Sequence, residues 1–73
     1  MPMKYTGVTS SAIAALAYDS TRRVMGVIFS SGDEYHYHEV SQDTFDAVRM
    51  APSIGSAFDT LIKKTGVACQ RIR

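Results

Sequence analysis

From Val24 to Phe29 the chain is apolar at odd and even positions alike. Val24 and Ile28 fall on one side of an extended strand, Met25, Val27 and Phe29 on the other, with Gly26 between them. A strand apolar on both sides is one that is covered on both sides. The cover on the second side is either a partner subunit or local helices and loops. Gly26 predicts a bulge or a close approach of other atoms to the backbone. The stretch Glu34–Val40 alternates instead, placing Tyr35 and Tyr37 on one face and Glu34, His36 and His38 on the other. Ser30-Ser31-Gly32-Asp33 joins the two strands as a hairpin turn, and so short a connection makes them antiparallel. Upstream, Val8–Tyr18 alternates weakly and its alanines also suit a helix. It is read as a strand because Asp19-Ser20-Thr21-Arg22-Arg23 has the composition of a tight turn feeding Val24.

After Val40 the period changes from that of a strand to that of a helix. Ser41 is a natural N-cap, Asp43 suits the positive helix end, and Phe45, Val48 and Ala51 share a face. Pro52 ends this helix. Ser53 caps a second, whose apolar stripe is Ala57, Phe58, Leu61 and Ile62, with Asp59 and Lys63 spaced to support each other. Gly66 is its stop. Val67–Ile72 forms either a short C-terminal strand or a tail. The predicted fold is α+β: a small antiparallel β-meander of about three strands, followed by two α-helices packed on one face. Residues 1–7 are a leader, in which Pro2 and Gly7 oppose regular structure, and residues 8–73 a single domain.

Size and charge narrow the function classes. A chain of 73 residues is one domain. It buries only roughly 60% of its unfolded surface, so a core of this size usually needs a staple. One cysteine excludes an internal disulfide and suggests a reducing compartment. Self-association is the staple that remains. Residues 1–50 carry a net −2 and residues 51–73 a net +3. The basic end, with Lys63, Lys64, Arg71 and Arg73, can meet a phosphate or can simply be a solvated face. The whole is not basic enough for a dedicated duplex-DNA binder. No run approaches the ~20 apolar residues of a membrane span, and the first residues carry Lys4 without an apolar stretch. A cytoplasmic protein without a membrane partner is the default expectation.

Four groups of side chains are candidates for chemistry. Tyr35 and Tyr37, about 6.6 Å apart along a strand, can form a platform for stacking bases, or can pack beneath the helices. Ser53, Gly55 and Ser56 open a helix whose free amides can hold a phosphate, or are a plain cap. Lys63 and Lys64 would add charge to that site. Glu34, His36 and His38 share one strand face and resemble part of a metal site. With no fourth ligand in evidence, a solvated polar face or an intersubunit contact is favoured, and no metal or cofactor is expected. Cys69 reads as a small buried apolar residue. No nucleophile elbow, catalytic acid pair or glycine-rich phosphate loop occurs, so an enzyme is not expected.

The order of these segments resembles the KTSC domain, a short module at the C-terminus of some lysyl-tRNA synthetases and a stand-alone bacterial or phage protein. The resemblance is carried by Ser10-Ser11-Ala12-Ile13 and Leu16-Ala17-Tyr18-Asp19, then by Val24–Phe29 leading into Gly32. Tyr35-His36-Tyr37 matches the tyrosine-any-tyrosine motif, followed by Val40. Ala51-Pro52-Ser53-Ile54-Gly55, with Phe58 and Ile62, matches the alanine-any-serine-any-glycine stretch and its helix. Ser41 stands where the family commonly has proline, and Thr65-Gly66 where a tyrosine often follows the last helix. The resemblance implies RNA binding and no defining enzymatic activity. The expectation is therefore a non-enzymatic homo-oligomeric module binding RNA or a nucleotide. The alternatives are a phage-type oligomeric sponge for nucleotide signals and a structural protein-interaction module.

Overall fold

The computed structural model describes residues 3–73. It is an α+β fold in which one five-stranded antiparallel sheet carries two helices on one face. The strands are β1 (Thr6–Gly7), β2 (Ile13–Asp19), β3 (Val24–Phe29), β4 (Glu34–Tyr37) and β5 (Cys69–Arg71), and they lie side by side in chain order. The expectation of about three strands understated the sheet: β1 was not foreseen, and β5 is the short C-terminal strand that Val67–Ile72 left open against a tail. β1 is only two residues long and lies within the expected leader, where Gly7 argued against structure; Met1 and Pro2 fall outside the described residues. β5 is wholly exposed, so its alternation has no buried face to report it.

The weak alternation of β2 has a physical cause. The pairing of β2 with β3 slips between Ile13 and Ala15, as at a β-bulge. Ile13 and Leu16, three residues apart, therefore both enter the core, at 1% and 2% exposure. A regular strand would send them to opposite faces. The β2–β3 turn is closed by Asp19, whose Oδ1 accepts from the amides of Thr21 and Arg22 at 3.1 and 3.2 Å. In the β3–β4 turn Gly32 adopts φ 97°, and its amide donates to the Phe29 carbonyl at 2.9 Å.

Glu39, at φ 59°, turns the chain out of β4 and sends Val40 into the core. There the Val40 carbonyl accepts from the Tyr18 hydroxyl at 2.5 Å. Helix α1 (Gln42–Arg49) begins immediately, with Ser41 accepting from the Thr44 amide at 3.2 Å. It buries Phe45 and Val48, and the Phe45 ring stacks on Tyr18 at 4.9 Å. Helix α2 (Ile54–Leu61) is capped by Ser53 and followed by a 3₁₀ turn, Lys63–Thr65. Phe58 and Ile62 enter the core, whereas Leu61 of the expected stripe is exposed. Asp59 pairs with Lys64 at 3.6 Å rather than with Lys63.

The helices cover the face of Leu16, Met25, Val27 and Tyr37. The second face of β3 is covered in part by the chain itself. The segment before β1 lays Tyr5 and Met3 over Gly26, where a Cβ would run into the Tyr5 hydroxyl and sit 2.8 Å from its Cζ. The close approach that Gly26 predicted is thus made from within the chain.

Candidate functional site

The expected site residues divide between two places. Tyr35 and Tyr37 stand side by side as the strand spacing requires, with ring centroids 6.3 Å apart and planes at 29°. Their face is the one the helices cover. Tyr37 is 6% exposed and meets the ring of Phe58 edge-on at 5.2 Å. Burial, with the nearby Cys69 and Tyr35, holds its hydroxyl above the ordinary tyrosine range. Tyr37 is therefore part of the core and closed to a base. Tyr35 is half-buried, edge-on to Phe29 at 5.7 Å.

Ser53, Gly55 and Ser56 lie elsewhere, in a cleft of about 640 Å³ between the start of α2 and the loop before β2. That loop contributes Thr9, Ser10 and Ser11, so two stretches more than forty residues apart meet across the cleft. Its shape is set from within. The Ser10 hydroxyl accepts from the amides of Ala12 and Ile13, and Ser30 ties the loop down through its side chain to the Ser11 carbonyl at 3.0 Å and its amide to the Ala12 carbonyl at 2.9 Å. A Cβ on Gly55 would stand 3.8 Å from the Ser10 hydroxyl, so the two walls approach closely there. Ser53 accepts from the Ser56 amide at 3.4 Å. The first two helical amides, those of Ile54 and Gly55, have no acceptor within the helix and face an electropositive helix end.

A second cleft, of about 180 Å³, continues from the first, since Ala12 and Gly55 belong to both. It runs past Phe29 and Phe58 to Asp59 and Lys63. Together they line α2 as a groove, polar and hydroxyl-bearing at its helix start, aromatic in the middle, and with the Asp59 carboxylate and the Lys63 ammonium at the far end. Lys63 makes no ion pair among the described residues, whereas Lys64 is engaged with Asp59 and is not among the groove residues. The sequence pointed to the α2 end of this groove and to Lys63. It missed Thr9, Ser10, Ser11 and Phe29. The resemblance already contained Ser10-Ser11, and only the fold shows that it faces Ser53 and Gly55.

The other candidates behave differently. Glu34 is buried at 8% exposure and occupied: it accepts from the Tyr5 hydroxyl and from Arg73 Nε, each at 2.8 Å. His36 Nε2 lies 3.5 Å from it. Among the described residues no three His, Cys, Asp or Glu side chains are placed to hold a metal ion. Cys69 is exposed on β5, not buried, because β5 is a sheet edge.

A five-stranded antiparallel meander with two helices on one face defines a small α+β domain. Comparison with known proteins then gives the family. The KTSC domain profile matches residues 9–65. The chain belongs to the KTSC domain family. It is 34% identical over 61 residues to an uncharacterised protein of Stutzerimonas stutzeri, covering 84% of this chain and 86% of that protein. It is 36% identical over 56 residues to a protein of Tsukamurella paurometabola, covering 77% and 84%. A crystal structure of a KTSC domain protein from Yersinia pestis superposes with a TM-score of 0.91 at 29% identity, covering 99% of this chain and all of that one. Among the described residues no helix is long and apolar enough to cross a membrane.

Proposed function

We propose that this protein is a small non-enzymatic module that binds single-stranded RNA along the α2 groove. The observation that carries the reading is the separation of its two anion-attracting ends. Ile54 opens α2 and Lys63 lies in the 3₁₀ turn beyond its last residue, Leu61, so their backbones are separated by the length of the helix, about 12 Å at 1.5 Å per residue. A phosphate seated on the free amides of Ile54 and Gly55 at the helix start leaves the rest of the groove, with Phe29 and Lys63, for further units of the same ligand. A ligand that uses the whole groove carries phosphates along its length, which favours a short RNA over a mononucleotide. Phe29, half-buried between the two ends, offers the aromatic surface on which a base can stack, with Tyr35 edge-on behind it. Tyr37 leaves the binding surface in this reading, and Lys64 contributes only general positive charge. Lengthening the ligand across two copies of the groove would favour the homo-oligomeric form.

The test is titration with short RNAs and with mono- and cyclic nucleotides, followed by amide chemical shifts at low and rising salt. Short RNA is expected to move Ser10–Ile13 and Ser53–Ser56 together, to bind more tightly than any mononucleotide, and to weaken with salt. Lys63→Glu lowers the affinity more than Lys64→Glu. Absence of binding by every ligand at low salt sinks the proposal, and tight stoichiometric binding of a single mononucleotide replaces it with the nucleotide-sponge reading.

A further inference from the structure

The face opposite the helices holds an arrangement that the groove does not use. Before β1, Met3 and Tyr5 lie over Gly26, and the phenol reaches Glu34 on β4. Beneath Met3 is a cavity of about 130 Å³ walled by Asp19, Arg22, Val24, His36, His38 and Gln70. Glu34 holds the segment after β5 as well. Its side chain accepts from Arg73 Nε at 2.8 Å, and its backbone carbonyl accepts from the Ile72 amide at 2.7 Å. The Tyr5 hydroxyl is raised above the ordinary tyrosine range by burial and by its bond to Glu34.

We propose that Met3–Tyr5 is a lid over the His36–His38 cavity, latched by Tyr5 to Glu34, and that Arg73 shares the latch so that the segment after β5 loosens when Glu34 lets go. The lid's attachment to the body is slight. β1 is two exposed residues, and Lys4 between Met3 and Tyr5 is exposed. A segment with few buried contacts opens at a small fraction of the global unfolding free energy. The absence of a side chain at Gly26 gives the phenol its seat, and Glu34 gives it its stop. The groups facing the carboxylate are Tyr5 from the lid, His36 from β4 and Arg73 from the segment after β5.

Amide exchange at Val8 and Ile72, and the rate at which diethyl pyrocarbonate modifies His36, test the lid and the latch separately. Val8 donates to the Ala14 carbonyl and reports the hold of β1 on β2. Gly26→Ala pushes the phenol off its seat without touching Glu34 or Arg73. Val8 exchange and His36 modification are then expected to rise about tenfold, the scale of one lost charge-assisted hydrogen bond, while Ile72 keeps its rate. Tyr5→Phe removes the same hydrogen bond and is expected to repeat that pattern at similar amplitude, which keeps the test decisive if another variant fails to fold. Glu34→Gln is expected to speed both amides. Unchanged His36 modification in Gly26→Ala and Tyr5→Phe overturns the lid, as does a rise shared equally by the amides of β3. An Ile72 amide unmoved in folded Glu34→Gln overturns the shared latch.

Discussion

The two faces of the sheet are held by different chemistry. On the helix side, Met25 and Val27 are fully buried, Tyr37 is nearly so, and the rings of Phe29, Tyr37 and Phe58 meet edge-on at 5.2 to 5.7 Å. That cover comes from many mutually supporting contacts, none of which decides the fold by itself. On the other side, among the described residues, Tyr5 and Met3 lie over Gly26, and Tyr5 is fixed to the Glu34 carboxylate of β4. Its hold is concentrated in a few directional bonds. The first face is therefore expected to fail only with the whole protein, and the second to open by itself.

Truncation of Phe58 should give the largest effect, because it removes a ring that touches two others and leaves a cavity in a core this small. Phe58→Ala is expected to cost about 3–5 kcal/mol, read as a large fall in the urea midpoint. Every amide in β3 and β4 should lose protection together. A loss confined to α2 would mean that the helix face, too, is locally held, and would erase the contrast.

Glu34 should give an intermediate effect. The Tyr5 hydroxyl, then Arg73 and His36, favour its charged form and together outweigh its burial, so its carboxyl lies below the ordinary 4.5. Glu34→Gln is expected to cost about 1–3 kcal/mol at pH 7, most of it through Tyr5, since Arg73 is exposed and its pairing is weakened by solvent. The sign of the pH dependence follows from linkage. A carboxyl lowered in the folded state stabilises fully above its unfolded value, and that contribution is lost as pH falls through the folded value. Urea midpoints of the parent and of Glu34→Gln should thus differ by a constant amount from pH 7 to pH 5 and converge below pH 4.5. A gap that closes between pH 7 and pH 5 would assign the effect to another group.

This contrast also explains which parts of the molecule could be read from the chain. Positions on the helix face announce themselves by period: Met25, Val27, Phe29, Tyr35, Tyr37, Phe45, Val48, Phe58 and Ile62 all carry a burial pattern that local sequence encodes. The β2 bulge blurred that signal, since it puts Ile13 and Leu16 on one face against strand spacing. β1 escaped, and β5 stayed open between a strand and a tail, because edge strands with exposed faces have no apolar alternation to decide the matter. The groove was legible only at α2, where a cap has a local signature. Its other wall, Thr9-Ser10-Ser11, is brought there by tertiary packing. Glu34 looked like one of three polar residues on an open face because its partners, Tyr5 and Arg73, lie 29 and 39 residues away in the chain.

Gly26→Ala should give the smallest change in stability, and it sharpens the contrast most. Gly26 and Val27 are neighbours that point to opposite faces, so the substitution enlarges one face without disturbing the other. A glycine in a strand interior costs roughly 0.5–1 kcal/mol relative to alanine, which the substitution regains. Against this, the atoms nearest the new methyl are the far ends of the Tyr5 and Met3 side chains, which can swing away. The two effects nearly cancel, and the urea midpoint is expected to stay within about 1 kcal/mol of the parent while the lid comes loose. A loss approaching that of Phe58→Ala would instead mean that Tyr5 packs as a core residue. The second face would then be a second core, closed by the chain's own N-terminal segment.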